Sequence, residues 1–222
     1  QRLVLQSSYD AILDSQIPAE VFSEQRTGVF VGISQSDYRT VQEMRVTSTE
    51  NFAGTGYALC INANRISHRL NLNGPSYAVD TACSSSLTAL DQAVRNLHSD
   101  GCDMAIVAGV NILGHPSSFV AFSKAGIVSP TGTISTFDSR ANGFVRGEAV
   151  GVVILKPYKK ALEDGDRIHS VIHATNVNQD GFTSTITAPS QAAQIDMLTG
   201  LFDKAGVSPD QIGFVEAHGT GT

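Results

Sequence analysis

The sequence predicts an α/β fold with a largely parallel sheet. Three apolar runs rich in β-branched residues, Thr27–Ile33 (TGVFVGI), Asp103–Val110 (DMAIVAGV) and Ala149–Leu155 (AVGVVIL), read as strands, the first two of them buried. Between them lie segments whose apolar residues recur at helical spacing, and strands that alternate with helices build sheets sandwiched between helical layers. In such folds functional sites gather at the carboxyl ends of the strands.

Taken in order, Arg2–Ser15 is predicted helical with Leu3, Leu5, Tyr9, Ile12 and Leu13 as its apolar set, followed by a loop at Pro18. Ser36–Val46 is charged and predicts a surface helix. Gly54-Thr55-Gly56 opens a helical segment over Tyr57–Leu70, with Leu59, Ile66 and Leu70 facing one way. That G-x-G lacks the third glycine and the preceding strand of a dinucleotide fingerprint. Tyr77-Ala78-Val79 then runs into Asp80-Thr81-Ala82-Cys83, after which Leu87, Leu90, Val94 and Leu97 recur at helical spacing. Strand, tight turn and helix follow one another there, and Ser99-Asp100-Gly101 stops the helix.

Ser117–Ala125 is predicted helical and Gly126–Gly132 turn-rich. Phe137–Glu148 carries Asp138, Arg140, Arg146 and Glu148, charges of both signs that predict a self-paired structural loop. Pro157 suits the first turn of a short helix, Tyr158–Glu163, and Asp164-Gly165-Asp166 marks the clearest internal boundary. Beyond it Ile168–Val177 predicts a strand with His169 and His173 on one face; lacking a third ligand, they read as surface histidines rather than a metal site. Ser190 is placed to cap a helix over Gln191–Ala205, with Ile195, Leu198, Leu201 and Phe202 on one side and Gly206 at its end. Ile212–Ala217 is the last predicted strand, with His218 at its carboxyl end.

Composition narrows the function. A net charge of −6 with scattered Lys and Arg offers no basic patch for nucleic acid or an anionic membrane, and no apolar run reaches the length of a membrane span. Cys60, Cys83 and Cys102 form an odd set without C-x-x-C spacing, which argues against a disulfide framework or a zinc site and fits a reducing, cytoplasmic setting. Cys83 stands apart because it lies where a strand meets a helix, among small and hydroxylated neighbours. Unpaired N–H groups and the positive end of the helix dipole favour a thiolate at that point. Such a thiolate is a nucleophile, and the same N–H groups suit an oxyanion.

D-T-A-C-S-S-S at Asp80–Ser86, followed at a distance by Glu216-Ala217-His218-Gly219-Thr220-Gly221-Thr222, resembles the β-ketoacyl synthase (ketosynthase) family, in particular the ketosynthase domains of type I polyketide synthases. Thr27–Gly32, Ala63-Asn64-Arg65-Ile66-Ser67, Gly74-Pro75-Ser76 and Phe137–Glu148 add to the match, which spans essentially the whole chain. The resemblance implies a thiolase-like fold of two similar halves, with residues 1–166 as most of the first and 167–222 as the opening of the second. It implies that Cys83 holds an acyl group, that His218 assists decarboxylation of a malonyl-type thioester, and that Thr220 and Thr222 bind the phosphopantetheine arm of an acyl carrier protein. No cofactor is implied beyond that arm, and the parent is expected to be a homodimer.

The chain reads as an internal piece of a longer protein. It starts without Met and holds no K-S-N-I-G-H-type segment, from which the family draws its second histidine and a lysine, so the piece alone is expected not to condense and to be poorly soluble. A ketosynthase of a type I fatty acid synthase, a non-condensing carrier-binding domain and a cysteine hydrolase remain as alternatives.

Overall fold

A computed structural model describes residues 1–44 and 52–222 of the chain. The sheet forms where the sequence is most apolar. Strands β1 (Thr27–Gly32), β2 (Ser76–Val79), β3 (Met104–Asn111) and β4 (Ala149–Leu155) pair in the order β2-β1-β3-β4. β1 runs parallel to β2 and β3, whereas β4 lies antiparallel to β3 with Ile106 opposite Ile154. The sheet is mixed, parallel at its centre with one antiparallel edge. Every residue of β1 is buried, as a central strand covered on both faces must be.

Helices cover the two faces. Alternation along β1 sends Val29 and Val31 to one side and Phe30 to the other. Val29, Val31, Met104 and Ile106 pack with Val4 and Ile12 of α1 (Arg2–Ser15), Phe22 of α2 (Ala19–Glu24), and Ala63 and Ile66 of α5 (Ile61–Leu70). Phe30, Ala105 and Val107 pack with Ala89 and Ala93 of α6 (Ser85–His98), and Tyr77 closes edge-on against Phe30 at 5.1 Å between ring centroids. The remaining helices are α3 (Asp37–Glu43), α4 (Ala53–Tyr57), α7 (Ser117–Lys124), α8 (Tyr158–Asp164) and α9 (Gln191–Ala205).

Several expectations are corrected. The segment expected to be one helix over Tyr57–Leu70 is broken, because Ala58 turns extended (ψ 127°) between α4 and α5. The helix expected over Ser36–Val46 is α3, and positions 45 and 46 lie outside the described residues. On α1 the buried stripe is Val4, Ser8 and Ile12, while Leu3, Tyr9 and Leu13 face outward. On α6 the buried set is Ser85, Ala89, Asp91 and Ala93, and Leu87 is 70% exposed. Small residues take the inner face because the helix lies so close to the sheet: a Cβ on Gly32 would stand 2.5 Å from the Ser86 backbone, and one on Gly109 2.8 Å from Ser86 Cβ.

The largest correction concerns the region after the boundary. Ile168–Val177 and Ile212–Ala217 are not strands. Each lacks a neighbouring strand among the described residues, and an apolar run without a ladder partner does not become a strand. Ile172, Phe214 and Val215 are accordingly exposed. α9 does form as expected: the Ser190 hydroxyl accepts the Ala193 N–H at 3.2 Å, and Gly206 closes the helix in the left-handed conformation (φ 63°), yet Ile195 and Leu198 remain exposed. Side chains tie this region to the sheet layer. Thr175 Oγ1 donates to Asp91 Oδ1 at 2.7 Å, and Asp91, fully buried on α6, also accepts from Arg95 Nε at 2.6 Å. His169 Nε2 lies 2.9 Å from Asp14 Oδ2 on α1, so it pairs with a carboxylate rather than with His173.

At the boundary, Lys156 bonds Asp164 Oδ2 at 2.6 Å and also Asp166, which fastens the end of β4 to the turn after α8.

Candidate active site

Cys83 lies on a one-turn 3-10 segment, Ala82–Ser84, between β2 and α6. Its side chain is exposed, as the strand–turn–helix pattern predicts. The turn carries strain, since Ala82 adopts φ 56°, a left-handed conformation that disfavours any residue with a Cβ. Hydroxyls and a carboxylate hold it there. Ala82 N–H donates to Asp80 Oδ1 at 3.0 Å, the Ser85 hydroxyl donates to Ala82 O at 2.6 Å, and Thr81 N–H donates to Ser85 Oγ at 2.9 Å. The Thr81 hydroxyl shares hydrogen bonds with Ser84 (2.9 Å) and Thr88 (3.1 Å). The D-T-A-C-S-S-S residues thus build the turn that presents the sulfur. Gly32 and Gly109 admit the start of α6, just after Cys83, against β1 and β3.

His218 is reached differently. It stands exposed on an unpaired segment rather than after a strand, and among the described residues no hydrogen bond joins it to Cys83. The segment is held by the loop that precedes β4. Thr136 Oγ1 donates to Gly219 O at 2.5 Å, and Gly143 N–H donates to Gly221 O at 3.0 Å. Gly219 has φ 50°, and a Cβ there would meet Thr136 Cγ2 at 2.9 Å, which explains the first glycine of H-G-T-G-T on steric grounds alone. Thr220 and Thr222 share a hydrogen bond between their hydroxyls at 2.9 Å. That contact uses only one of the two hydroxyl protons, so the pair can still hydrogen-bond a ligand while it persists.

The Phe137–Glu148 stretch is only partly self-paired. Asp138 accepts from Arg140 Nε (2.9 Å), Nη2 (3.0 Å) and backbone N–H (2.8 Å), and these contacts hold its carboxyl below the usual carboxylate range. Arg146 and Glu148 reach elsewhere. Arg146 bonds Ser118 Oγ and lies over the rings of Phe119 (4.7 Å) and Phe122 (5.1 Å), and Glu148 accepts the Leu113 N–H at 2.6 Å. The binding role of this loop toward the H-G-T-G-T segment was not foreseen from the sequence. No local pattern announces it, because Thr136 and Gly219 lie far apart in the chain and share no periodicity.

No group of three metal-ligating side chains occurs among the described residues. A cleft of about 440 Å³ opens between Ser34–Thr40 and α7, and it includes neither Cys83 nor His218. Among the described residues no helix is long and apolar enough to cross a membrane.

An α/β sheet raises an exposed cysteine at a strand–helix turn, and H-G-T-G-T is held by the loop before β4. Comparison with known proteins identifies the family. The family description "Beta-ketoacyl synthase, N-terminal domain" matches residues 1–161 and "Beta-ketoacyl synthase, C-terminal domain" matches 169–222, so the chain belongs to the β-ketoacyl synthase family. It is 44% identical over its full length to a phenolphthiocerol/phthiocerol polyketide synthase of Mycobacterium tuberculosis, and covers 12% of that protein. It is also 44% identical to the lovastatin diketide synthase mokB of Monascus pilosus, covering 9% of it. Among solved structures, the ketosynthase from module 6 of the bacillaene synthase of Bacillus subtilis 168 superposes with a TM-score of 0.91 at 39% identity. An oxazolomycin ketosynthase domain of Streptomyces albus JA3453 gives 0.93 at 35%. All of this chain and 38% of each of those chains is matched. The fold is therefore that of the ketosynthases.

Proposed function

We propose that the protein carrying this chain is the condensing enzyme of a type I polyketide synthase, with Cys83 as nucleophile and His218 as hydrogen-bond donor to the enolate. The observation that carries this reading is the exposed Cys83 on its strained, hydroxyl-braced turn at the start of α6 in a chain of this family.

Cys83 thiolate attacks the carbonyl carbon of an acyl thioester, the carrier's thiolate leaves and takes up a proton, and the acyl group remains as an enzyme thioester. A malonyl-type thioester then loses carbon dioxide, and the electron pair of the broken C–C bond becomes an enolate. Its developing charge falls on the thioester oxygen, where a donor such as the His218 ring stabilises it. The enolate carbon attacks the acyl carbonyl, the new C–C bond forms and Cys83 thiolate is expelled. The hydroxyls of Thr220 and Thr222, which already share one hydrogen bond, contact the phosphopantetheine arm that delivers both substrates from an acyl carrier protein. Residues 1–166 form most of one half of the catalytic domain and 167–222 open the other, in a homodimeric, cytoplasmic parent. Polyketide rather than fatty acid synthesis is favoured by the curated relatives, which are polyketide synthases.

Mass spectrometry of the full-length protein after incubation with an acyl-pantetheine thioester tests the assignment. The acyl adduct is expected on Cys83, with the buried Cys102 and the exposed Cys60 unmodified. Equal labelling of Cys60 and Cys83 would refute a special site.

A further inference from the structure

We infer that Thr136 is a positioning residue for the condensation half of the reaction, because its hydroxyl sets where the His218–Thr222 segment stands. The inference rests on the proposed role of His218. Exposed and outside any strand or helix, His218 has no regular element to place it, so its location depends on what grips its neighbours. The residue immediately after it, Gly219, gives its carbonyl to Thr136 Oγ1 at 2.5 Å. Two residues further on, the Gly221 carbonyl accepts the Gly143 N–H at 3.0 Å. Of these two bonds, the one from Thr136 is made by a side chain and falls on the residue next to His218 in the chain.

The loop is built to keep that hydroxyl still. Asp138 N–H donates to Ser135 O at 3.2 Å, which closes a turn around Thr136 and Phe137. Asp138 is in turn clamped by three bonds from Arg140. Phe137 takes φ 59° while 90% exposed, a conformation a bulky residue adopts only when its surroundings impose it. The far end of the loop is fastened too, with Ser129 N–H donating to Phe144 O at 2.9 Å and Phe144 N–H to Ile127 O at 3.0 Å. None of these contacts reaches the Cys83 turn, whose own bonds run among Asp80, Thr81, Ala82, Ser84, Ser85 and Thr88. Thr136 therefore acts on one half-reaction and not on the other.

Three variants of the full-length protein test this: Thr136→Val, which keeps the shape and removes the donor, Thr136→Ser, which restores the donor, and His218→Ala. Two rates are read for each, acylation of Cys83 from an acyl-pantetheine thioester and release of carbon dioxide from a malonyl-pantetheine thioester. Thr136→Val is expected to acylate within about twofold of wild type while kcat for decarboxylation falls about tenfold, the scale of one lost hydrogen bond at a positioned group. Thr136→Ser is expected to recover most of that loss. Equal loss of both rates in Thr136→Val, or failure of Thr136→Ser to recover, would mean a general structural role and overturn the inference. Unchanged decarboxylation in Thr136→Val would overturn it as well, provided His218→Ala abolishes decarboxylation. Should His218→Ala decarboxylate normally, the proposed role of His218 fails, whatever Thr136 does.

Discussion

The two halves of the site are held in place by different means. Cys83 stands on a turn whose every support is local or belongs to the sheet: hydroxyls within a few residues, a helix seated directly behind it, and two strands beneath with glycine at the closest approach. His218 stands on a segment without regular structure, fastened across the chain to a loop about eighty residues earlier. A nucleophile must be presented in one geometry to every incoming thioester, and a rigid strand–turn–helix junction does that. In the proposed function His218 acts only on the second substrate, and it is placed by contacts of its own. The separation teaches that damage to one support should leave the other working.

The sharpest way to break the comparison is a glycine in each half. Gly219→Ala forces a Cβ into a left-handed backbone and to 2.9 Å from Thr136 Cγ2, so the segment must move. Displacement of a catalytic group by about 1 Å costs on the order of a hundredfold, which is the expected fall in condensation rate, with thermal stability unchanged because this segment buries little. Gly32→Ala is expected to do the reverse. Its Cβ would collide with backbone atoms of Ser85 and Ser86, which cannot rotate away, and overpacking of this kind costs roughly 1–3 kcal/mol of stability. Calorimetric unfolding should show a Tm lowered by several degrees. A Gly219→Ala protein that unfolds early, or a Gly32→Ala protein as stable as wild type, would erase the distinction.

A smaller effect sharpens it at the boundary. Lys156 is only 7% exposed and bonds both Asp164 and Asp166. Burial works against its ammonium, but those bonds outweigh it and raise its pKa above the ordinary lysine value, while Lys156 and then Lys160 hold Asp164 below the usual carboxylate range. The raised group stabilises the fold fully below the unfolded lysine value near about 10.4, and that contribution is lost as pH rises through the folded value. The depressed carboxyl contributes above its unfolded value near about 3.9, and that is lost as pH falls through the folded one. Lys156→Met should therefore cost about 2 kcal/mol at neutral pH, the scale of a hydrogen bond to a charged group, since it leaves the largely buried Asp166 without its partner. Denaturant titrations should find the gap to wild type level from about pH 6 to 9 and shrinking in acid.

How legible each half was in the sequence follows from the same contrast. The strands of the sheet could be read from Thr27–Gly32, Met104–Asn111 and Ala149–Leu155: the first is buried and the second mostly so, which writes a continuous apolar run, and the edge strand β4 is apolar although none of it is fully buried. The Cys83 junction was legible because strand, turn and helix are adjacent in the chain. The inner face of α6 was legible only in part. Leu90 and Leu97 pack against the core as their spacing predicts, but the fully buried positions are Ser85, Ala89, Asp91 and Ala93, and the close approach of Ser85 and Ser86 to Gly32 depends on a strand some fifty residues earlier. Ile168–Val177 and Ile212–Ala217 have strand composition, but composition does not supply a pairing partner. The grip of Thr136 on Gly219 joins positions with no shared periodicity, so no local pattern announces it.

The most direct test of the account is the fate of the acyl group in full-length His218→Ala given an acyl-pantetheine and a malonyl-pantetheine thioester together. Intact-protein mass spectrometry is expected to find the acyl group accumulated on Cys83, with no carbon dioxide released and no extended product. A His218→Ala protein that leaves Cys83 unacylated, or one that turns over to product, would contradict the division of labour between the two halves.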